Sequence, residues 1–422
     1  MLILLLNAGS SSLKATVMET TQHRVVATGH ADWAGTSTQY QYIGPDQNKH
    51  AERVSWKGHA EAVRRFITDL LKQKPPALTD LSHLAAVGHR VVHGGDYTTA
   101  IQITPDVRSR IEQLRTLAPL HNPPSLETLA AAEAELPNLP HIATFDTAFH
   151  STLPPKAYTY PIPMKWTRDW GIRRFGFHGL SHAYCSNQAT NMLDRPRDEL
   201  RLVICHLGHG CSAAAVQGGR CLDTTMGFTP LDGLMMATRS GSIDPGILEY
   251  VQNNHGLSAE QVGHSLNHDS GLLGVSEISG DLRQLEEAAN DGHELAQLAI
   301  GIYVHRIRQA IGALTVTLGG IDALIFTAGV GENSSGIRRL ICSDLECLGL
   351  ELDTEANTAC QPDADIATKS SRGRILVIAT REDLTMVREI QAIIDLSSQG
   401  PGGVPQVTVS KSNDKLPGIS NS

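Results

Sequence analysis

A chain of 422 residues is about three times the length of a typical domain, so two domains, each with its own core, are expected. With 41% apolar, 19% charged and 5% aromatic residues, and 38 glycines, the composition is globular and excludes disordered, collagen-like and coiled-coil chains. Thirty-five Lys and Arg against 44 Asp and Glu give a formal charge of −9 with no basic block, which argues against nucleic-acid binding and leaves any anionic ligand to a few placed cations.

Leu2 to Leu6 opens the chain as a buried strand; five apolar residues with no preceding basic residue are too few for a signal-peptide core. Leu13 to Met18 and Arg24 to Gly29 continue it as an antiparallel meander. From about Trp56 the apolar period becomes helical, at Ala60, Val63, Phe66, Ile67, Leu70 and Leu71. A strand follows at Leu84 to Val92, then Asn122-Pro123-Pro124 as the first turn of a helix through Leu136, then a strand from His141 to Phe145 that ends on Asp146. Alternating strands and helices make this first unit α/β.

After a Pro-rich and aromatic passage, Pro154 to Trp170, the pattern starts again. Arg201 to Leu207 reads as a buried strand leading into Gly208-His209-Gly210-Cys211-Ser212, with further strands at Ala213 to Gln217 and Arg220 to Thr225. Asn7 to Val17 has the same plan, so an internal duplication offset by 199 residues is expected, two unrelated hairpins being the alternative. Helices follow at Leu282 to Ala289 and Glu294 to Leu318, and a strand at Ala323 to Phe326 runs into a glycine turn. The stretch Ile311 to Val330 is too broken by glycines to span a membrane. Ile375 to Ala379 and a helix from Glu382 to Ile394 close the fold, and 397–422, rich in Ser, Gly and Pro, reads as a flexible tail. Seven cysteines, odd in number and without a CxxC pair, read as reduced thiols of a cytoplasmic protein.

No GxxxxGK[ST] is present, and Gly208 and Gly210 lack the third glycine of a dinucleotide fingerprint. Instead, three glycine turns close strands, at Gly9, at Gly208 to Gly210 and at Gly329 to Gly331, and Lys14 stands near the first. One such turn reads as a plain hairpin; three together point to a nucleotide triphosphate. Gly88-His89-Arg90-Val91-Val92-His93-Gly94-Gly95 and Phe175-Gly176-Phe177-His178-Gly179-Leu180-Ser181-His182 frame cations and imidazoles with glycine, as an approaching ligand requires. Arg90, His178 and Arg239 are therefore candidates for one electropositive pocket, with a satisfied core histidine and a loop-tethering arginine as the plainer alternatives. Asp146 and Glu382 are the candidate carboxylates, against helix-capping and first-turn roles. No His/Cys cluster has zinc spacing.

These segments resemble the acetate kinase family: NAGSSSLK (Asn7 to Lys14), GHRVVHGG (Gly88 to Gly95), FDTAFH (Phe145 to His150), RRFGFHGLSH (Arg173 to His182), HLGHGCS (His206 to Ser212), the run Asp223 to Gly246, SGDLR (Ser279 to Arg283), TAGVGEN (Thr327 to Asn333) and TREDL (Thr380 to Leu384), in family order over nearly the whole chain. The resemblance implies two duplicated actin-like ATPase (ribonuclease H-like) α/β lobes around a nucleotide cleft, 1–150 with about 382–396 and 151–381. It implies a homodimer that transfers the ATP γ-phosphoryl to acetate with Mg2+, or Mn2+ in its place, and neither a nucleic-acid nor a membrane partner. By the same resemblance Asn7 and Glu382 hold the metal, and Lys14, His206, Leu207, Gly208, His209, Gly210, Asp281, Leu282, Arg283, Gly329, Val330, Gly331, Glu332 and Asn333 bind ATP. Arg90 takes the acetate carboxylate, while Val92, Leu120, Phe177 and Pro230 wall its methyl group. Asp146, His178 and Arg239 are catalytic.

Two positions depart from the family pattern: His209 stands where Asn is usual, and Leu180 where Thr is usual. The rival readings are a propionate or butyrate kinase of the same fold and a non-enzymatic actin-like ATP-binding module; the second has no use for Arg90, His178 and Arg239 together. A sugar kinase would need a more polar pocket than Val92, Phe177 and Pro230 provide.

Overall fold

The computed structural model describes residues 1–398. Its first half builds one sheet from β1 (Leu2–Ala8), β2 (Ser12–Glu19), β3 (Arg24–Asp32), β4 (Thr38–Ile43), β5 (Lys49–Val54), β6 (Leu84–Val91), β7 (Ile101–Gln102) and β8 (His141–Phe145), ordered β5-β4-β3-β2-β1-β6-β8-β7. A second sheet is built from β9 (Arg201–Leu207), β10 (Cys211–Gln217), β11 (Arg220–Thr224), β12 (Ala323–Thr327), β13 (Ala364–Asp365) and β14 (Arg374–Val377), ordered β11-β10-β9-β12-β14-β13.

The two sheets share a strand plan. In each, three antiparallel strands (β3-β2-β1 and β11-β10-β9) are extended by two parallel ones (β6-β8 and β12-β14). Leu2 and Arg201, where β1 and β9 begin, are 199 residues apart, the offset read from the sequence. The chain is thus an α/β protein with a duplicated strand plan.

The apolar run of β1 follows from burial on both faces. Leu4 and Leu6 pack beneath the His59–Lys72 helix, through Val63, Phe66 and Leu70, while Ile3 and Leu5 face Met386, Val387 and Ile390 of the Glu382–Ser398 helix. The second sheet is covered on one side by the Glu294–Thr317 helix, whose Tyr303, Ile307, Ile311 and Leu314 recur at helical spacing. Its other face meets Tyr184, Cys185 and Ala189 of the Gly179–Leu193 helix. Leu180, one of the two departures, lies in the core against the last helix rather than in a ligand site, and its carbonyl accepts from Thr385 Oγ1 at 3.1 Å.

Two expectations change. Gly329 to Gly331 is part of a helical turn, Ala328–Asn333, entered through Ala328 at φ 65°, because the chain after β12 reverses at Ala328 itself. The last helix runs to Ser398; the remainder of the expected tail lies outside the described residues. All seven cysteines are free, and five of them are buried.

Candidate active site

Three neighbouring parallel strands end at one edge: β1 carries Asn7, β6 leads to Arg90 and β8 to Asp146. The carboxyl ends of such strands are where open α/β sheets present ligand-binding groups. The Arg90 guanidinium grips Asp146 with two prongs, Nε to Oδ1 at 2.9 Å and Nη2 to Oδ2 at 2.7 Å. Its remaining nitrogen, Nη1, lies 3.0 Å from Glu382 Oε2 and 3.4 Å from Asn7 Oδ1. Asp146 is 1% exposed.

One guanidinium facing two carboxylates explains the electrostatics. Burial disfavours the Arg90 charge, but Asp146 and Glu382 together outweigh it and hold the guanidinium charged, its pKa raised. For Asp146, burial reinforced by Glu382 prevails over the shared cation, and the carboxyl is pushed above its usual range.

Opposite this cluster, His178 enters the Gly179–Leu193 helix in left-handed backbone, φ 59°. The Gly179 N–H donates to the Asp146 carbonyl at 2.8 Å, so the residue next to His178 is tied to Asp146. The His178 ring stacks on His206, centroids 4.1 Å apart. Burial pushes both imidazoles down, His206 to about 3 with Arg90 adding to the effect, and His178 well below its ordinary value with His206, His182 and the two arginines adding. His178 is therefore neutral, and the positive field expected of it comes instead from the arginines.

Arg239 donates from Nη1 to the Pro230 carbonyl at 2.7 Å and makes no ion pair among the described residues; burial draws its pKa down. A Cβ on Gly210 would stand 2.8 Å from Arg239 Nη2 and 3.2 Å from His178 Nε2, so only glycine lets both groups face that point of the turn.

Two cavities flank the cluster. One, of about 580 Å³, brings Leu120, Pro230 and Arg239 together with His121 and reaches out to His264 and His268. Val92 and Phe177 are not on its wall: Phe177 is 1% exposed, packed edge-on to His93, and Val92 packs on the second core. The other cavity, of about 690 Å³, is lined by Gly208, His209, Asp281, Leu282, Arg283, Gly329, Val330 and Asn333, with Thr238, Leu272, Gly280, Glu286 and Ser334 completing it. Leu207 is instead in the core, since β9 is covered on both faces, and Gly331 packs against Phe326. The Glu332 carboxylate turns away to accept from the Thr380 N–H at 2.8 Å. Lys14 lies apart from this cavity, paired across β1–β2 with Asn7 and so on the Asn7 face of the sheet.

Sequence reasoning missed His121, held neutral at about 4 by burial with Arg239 and Arg90 adding, because no glycine frames it. It also missed Glu286 and Ser334, whose side chains hydrogen-bond each other at 3.1 Å across the larger cavity; one lies within a helix and the other caps one, so neither forms a motif. The described residues hold no cluster of three or more His, Cys, Asp or Glu side chains suited to a metal. Asn7 Oδ1 and Glu382 Oε2, converging on one Arg90 nitrogen, are two hard oxygen donors of the kind that would suit Mg2+.

The model of the acetokinase family matches residues 2–388. The chain is 47% identical over 399 residues to the acetate kinase of Gloeobacter violaceus, covering 92% of this chain and 98% of that one, and 46% identical over 398 residues to that of Rippkaea orientalis, with the same coverage. Among solved structures it superposes on acetate kinase from Porphyromonas gingivalis with TM-score 0.86 at 37% identity, covering 93% of this chain and 99% of that one. It superposes on a propionate kinase from Francisella tularensis with TM-score 0.85 at 37% identity, covering 92% and 98%.

Proposed function

We propose, on the premise that this chain belongs to the acetokinase family and moves a phosphoryl group reversibly between ATP and acetate, a role for each residue of the site. The reaction is direct in-line transfer. A carboxylate oxygen of acetate, already anionic at neutral pH, forms the new O–P bond as the bond from the γ-phosphorus to the β-bridging oxygen breaks and ADP leaves with the electron pair. No general base is required, and the work of the protein is alignment and charge neutralisation.

The observation that carries this reading is the convergence of Arg239 Nη2 and the His178 ring on Gly210, beside the larger cavity. Arg239, without a carboxylate partner, is the cation for the transferring phosphoryl, and His178 a neutral hydrogen-bond donor to it. Arg90, fixed on Asp146, offers the outer N–H groups of Nη1 and Nη2 to the acetate carboxylate, and Asp146 orients Arg90 rather than taking a proton. Leu120 and Pro230 border the methyl group. ATP occupies the cavity of Gly208, Asp281 and Gly329, with Lys14 reaching its phosphates from the Asn7 side. Asn7 and Glu382 hold Mg2+, which when bound neutralises phosphate charge.

The lobes are taken as 1–150 with 382–396 and 151–381. Ile247 and Tyr250, exposed three residues apart on the Gly246–His255 helix, support a homodimer by leaving apolar surface for a second copy. No helix among the described residues is long and apolar enough to cross a membrane.

Trapping acyl phosphate with hydroxylamine, using Mg-ATP and acetate, propionate or butyrate in turn, tests the activity and the acceptor together. Acetate is expected to be preferred, with propionate within the range that one methylene allows, about 1–3 kcal/mol. Arg239→Ala is expected to lower kcat by about 10³-fold or more. Product from none of the three acids would leave a nucleotide-binding module, and an unimpaired Arg239→Ala enzyme would remove the cation from the mechanism.

A further inference from the structure

Behind the His178 ring lies a buried polar chain that no substrate reaches. His178 Nδ1 is 2.9 Å from Ser212 Oγ, and the same oxygen is 2.9 Å from His182 Nε2. Ser212 and His182 are fully buried, and His182 Nδ1 has no hydrogen-bond partner. The neighbouring His150 cannot supply one: its two nitrogens are taken by Cys221 Sγ at 3.1 Å and the Phe177 carbonyl at 2.8 Å.

A serine hydroxyl carries one proton, which restricts the arrangement. Both imidazoles cannot accept from it, and if both donated, the hydroxyl hydrogen would have no acceptor. Two neutral chains remain. If His178 Nδ1–H donates to Ser212 and Ser212 to His182 Nε2, the His182 proton sits on Nδ1 as a buried donor without an acceptor. If His182 Nε2–H donates to Ser212 and Ser212 to His178 Nδ1, the orphan at His182 Nδ1 is a lone pair. Orphaned buried N–H groups are the rarer and costlier defect, so the second chain is favoured.

We propose that Ser212 and His182 are positioning residues that fix the tautomer of His178, placing its single ring proton on Nε2, where it points past Gly210 beside Arg239 as a hydrogen-bond donor. Nε2 is the nitrogen 3.2 Å from the absent Gly210 Cβ. The opposite tautomer would aim a lone pair at the oxygens of a transferring phosphoryl. Which ring nitrogen carries the proton is set by the bond the other one makes. The left-handed backbone at His178 and the stack on His206 hold the ring so that the relay acts on one orientation. Its consequence for turnover rests on the reading that His178 touches the transferring group; the tautomer itself does not.

Two measurements keep these parts separate. Nitrogen-15 spectra of the ring-labelled, ligand-free protein at pH 7.5, with the His178 signal assigned by its loss in His178→Gln, report the tautomer directly. His178 protonated on Nε2, and His182 likewise, is the expected result; His178 protonated on Nδ1 overturns the proposal, and this readout needs no variant of the relay to fold. Ser212→Ala is expected to move His178 towards a mixture of tautomers and to lower kcat by about 10-fold or more with little change in either KM, while Ser212→Thr, which keeps the hydroxyl, restores both. A Ser212→Ala protein that keeps the Nε2 tautomer overturns the relay. A shifted tautomer with unchanged kcat leaves the relay standing and removes His178 from contact with the phosphoryl.

Discussion

The Arg90–Asp146 pair decides how the site treats protons. Both Asp146 oxygens accept from Arg90, which leaves the guanidinium the two N–H groups of Nη1, directed at Glu382 and Asn7, and the second N–H of Nη2. An Asp146→Asn side chain keeps one acceptor but brings an amide donor against a guanidinium that has only donors, so the fork loses one prong and its orientation. A hydrogen bond between charged groups is worth about 1.5–3 kcal/mol, which corresponds to about 10- to 150-fold in kcat. Because acetate needs no deprotonation, the pH–rate profile of Asp146→Asn between pH 6.5 and 8.5 is expected to keep the wild-type shape, only lower. A basic limb present in wild type and absent from the variant would make Asp146 a proton acceptor. At this scale the sequence was legible where glycine frames a polar residue, as at Arg90 and His178. It was silent on Ser212 and His121, whose roles arise from distant segments that meet only after folding.

Elements carry these residues to one edge through packing that the hydrophobic pattern largely announces. The paired faces of β1, Leu4 and Leu6 against Ile3 and Leu5, require a cover on each side, and the second cover is the last helix, which also brings Glu382 to Arg90. Its close approach depends on Gly88 of β6: a Cβ there would lie 2.2 Å from Ile390 Cδ1 and 3.0 Å from Leu5 Cδ2. Gly88→Ala is expected to cost about 1–3 kcal/mol of stability as the helix is pushed outward. Activity should fall beyond what unfolding explains, because Glu382 moves with the helix. Denaturant midpoints compared with kcat at a temperature where the variant is fully folded test this; a stable variant with wild-type kcat would show that the contact relaxes through Ile390 alone. Periodicity could not reveal β5, whose residues are nearly all exposed and whose place is fixed by pairing with β4 rather than by any alternating pattern. Nor could it show that TAGVGEN is helical, since that turn is held from outside by Thr380, which accepts from the Ala328 N–H at 2.8 Å, and by the buried Arg338, which donates to the Gly331 and Glu332 carbonyls.

For the whole molecule, the fold buries a set of imidazoles, several of them beside the site, and this sets the acid limit of the fold. Burial holds His93, His150 and, with Arg239 and Arg90 adding, His121 at about 4, and His206 at about 3; His89, His178 and His182 lie well below the ordinary value as well. In the unfolded chain each titrates near 6.5. Below that pH the unfolded state binds protons that the folded state refuses, so stability falls as pH falls, from 6.5 down to about 4 for three of them and about 3 for His206. Each histidine contributes a slope of up to about 1.4 kcal/mol per pH unit. Glu389 acts in the other direction: burial, with Asp146 adding, raises it to about 7, so the folded state gains a proton before the unfolded one, and stability from this group grows as pH falls from 7 towards 4.5. One glutamate offsets about one histidine over that range, and the balance stays with the imidazoles. Urea midpoints measured at pH 7.5, 6.0 and 5.0 are therefore expected to drop steeply below pH 6.5, with Glu389→Gln, which loses its offset, dropping more steeply than wild type. A midpoint unchanged between pH 7.5 and 5.0 would mean that these histidines take up protons in the folded state, and that the neutral rings around Arg90 and Arg239 are not the resting state of the site.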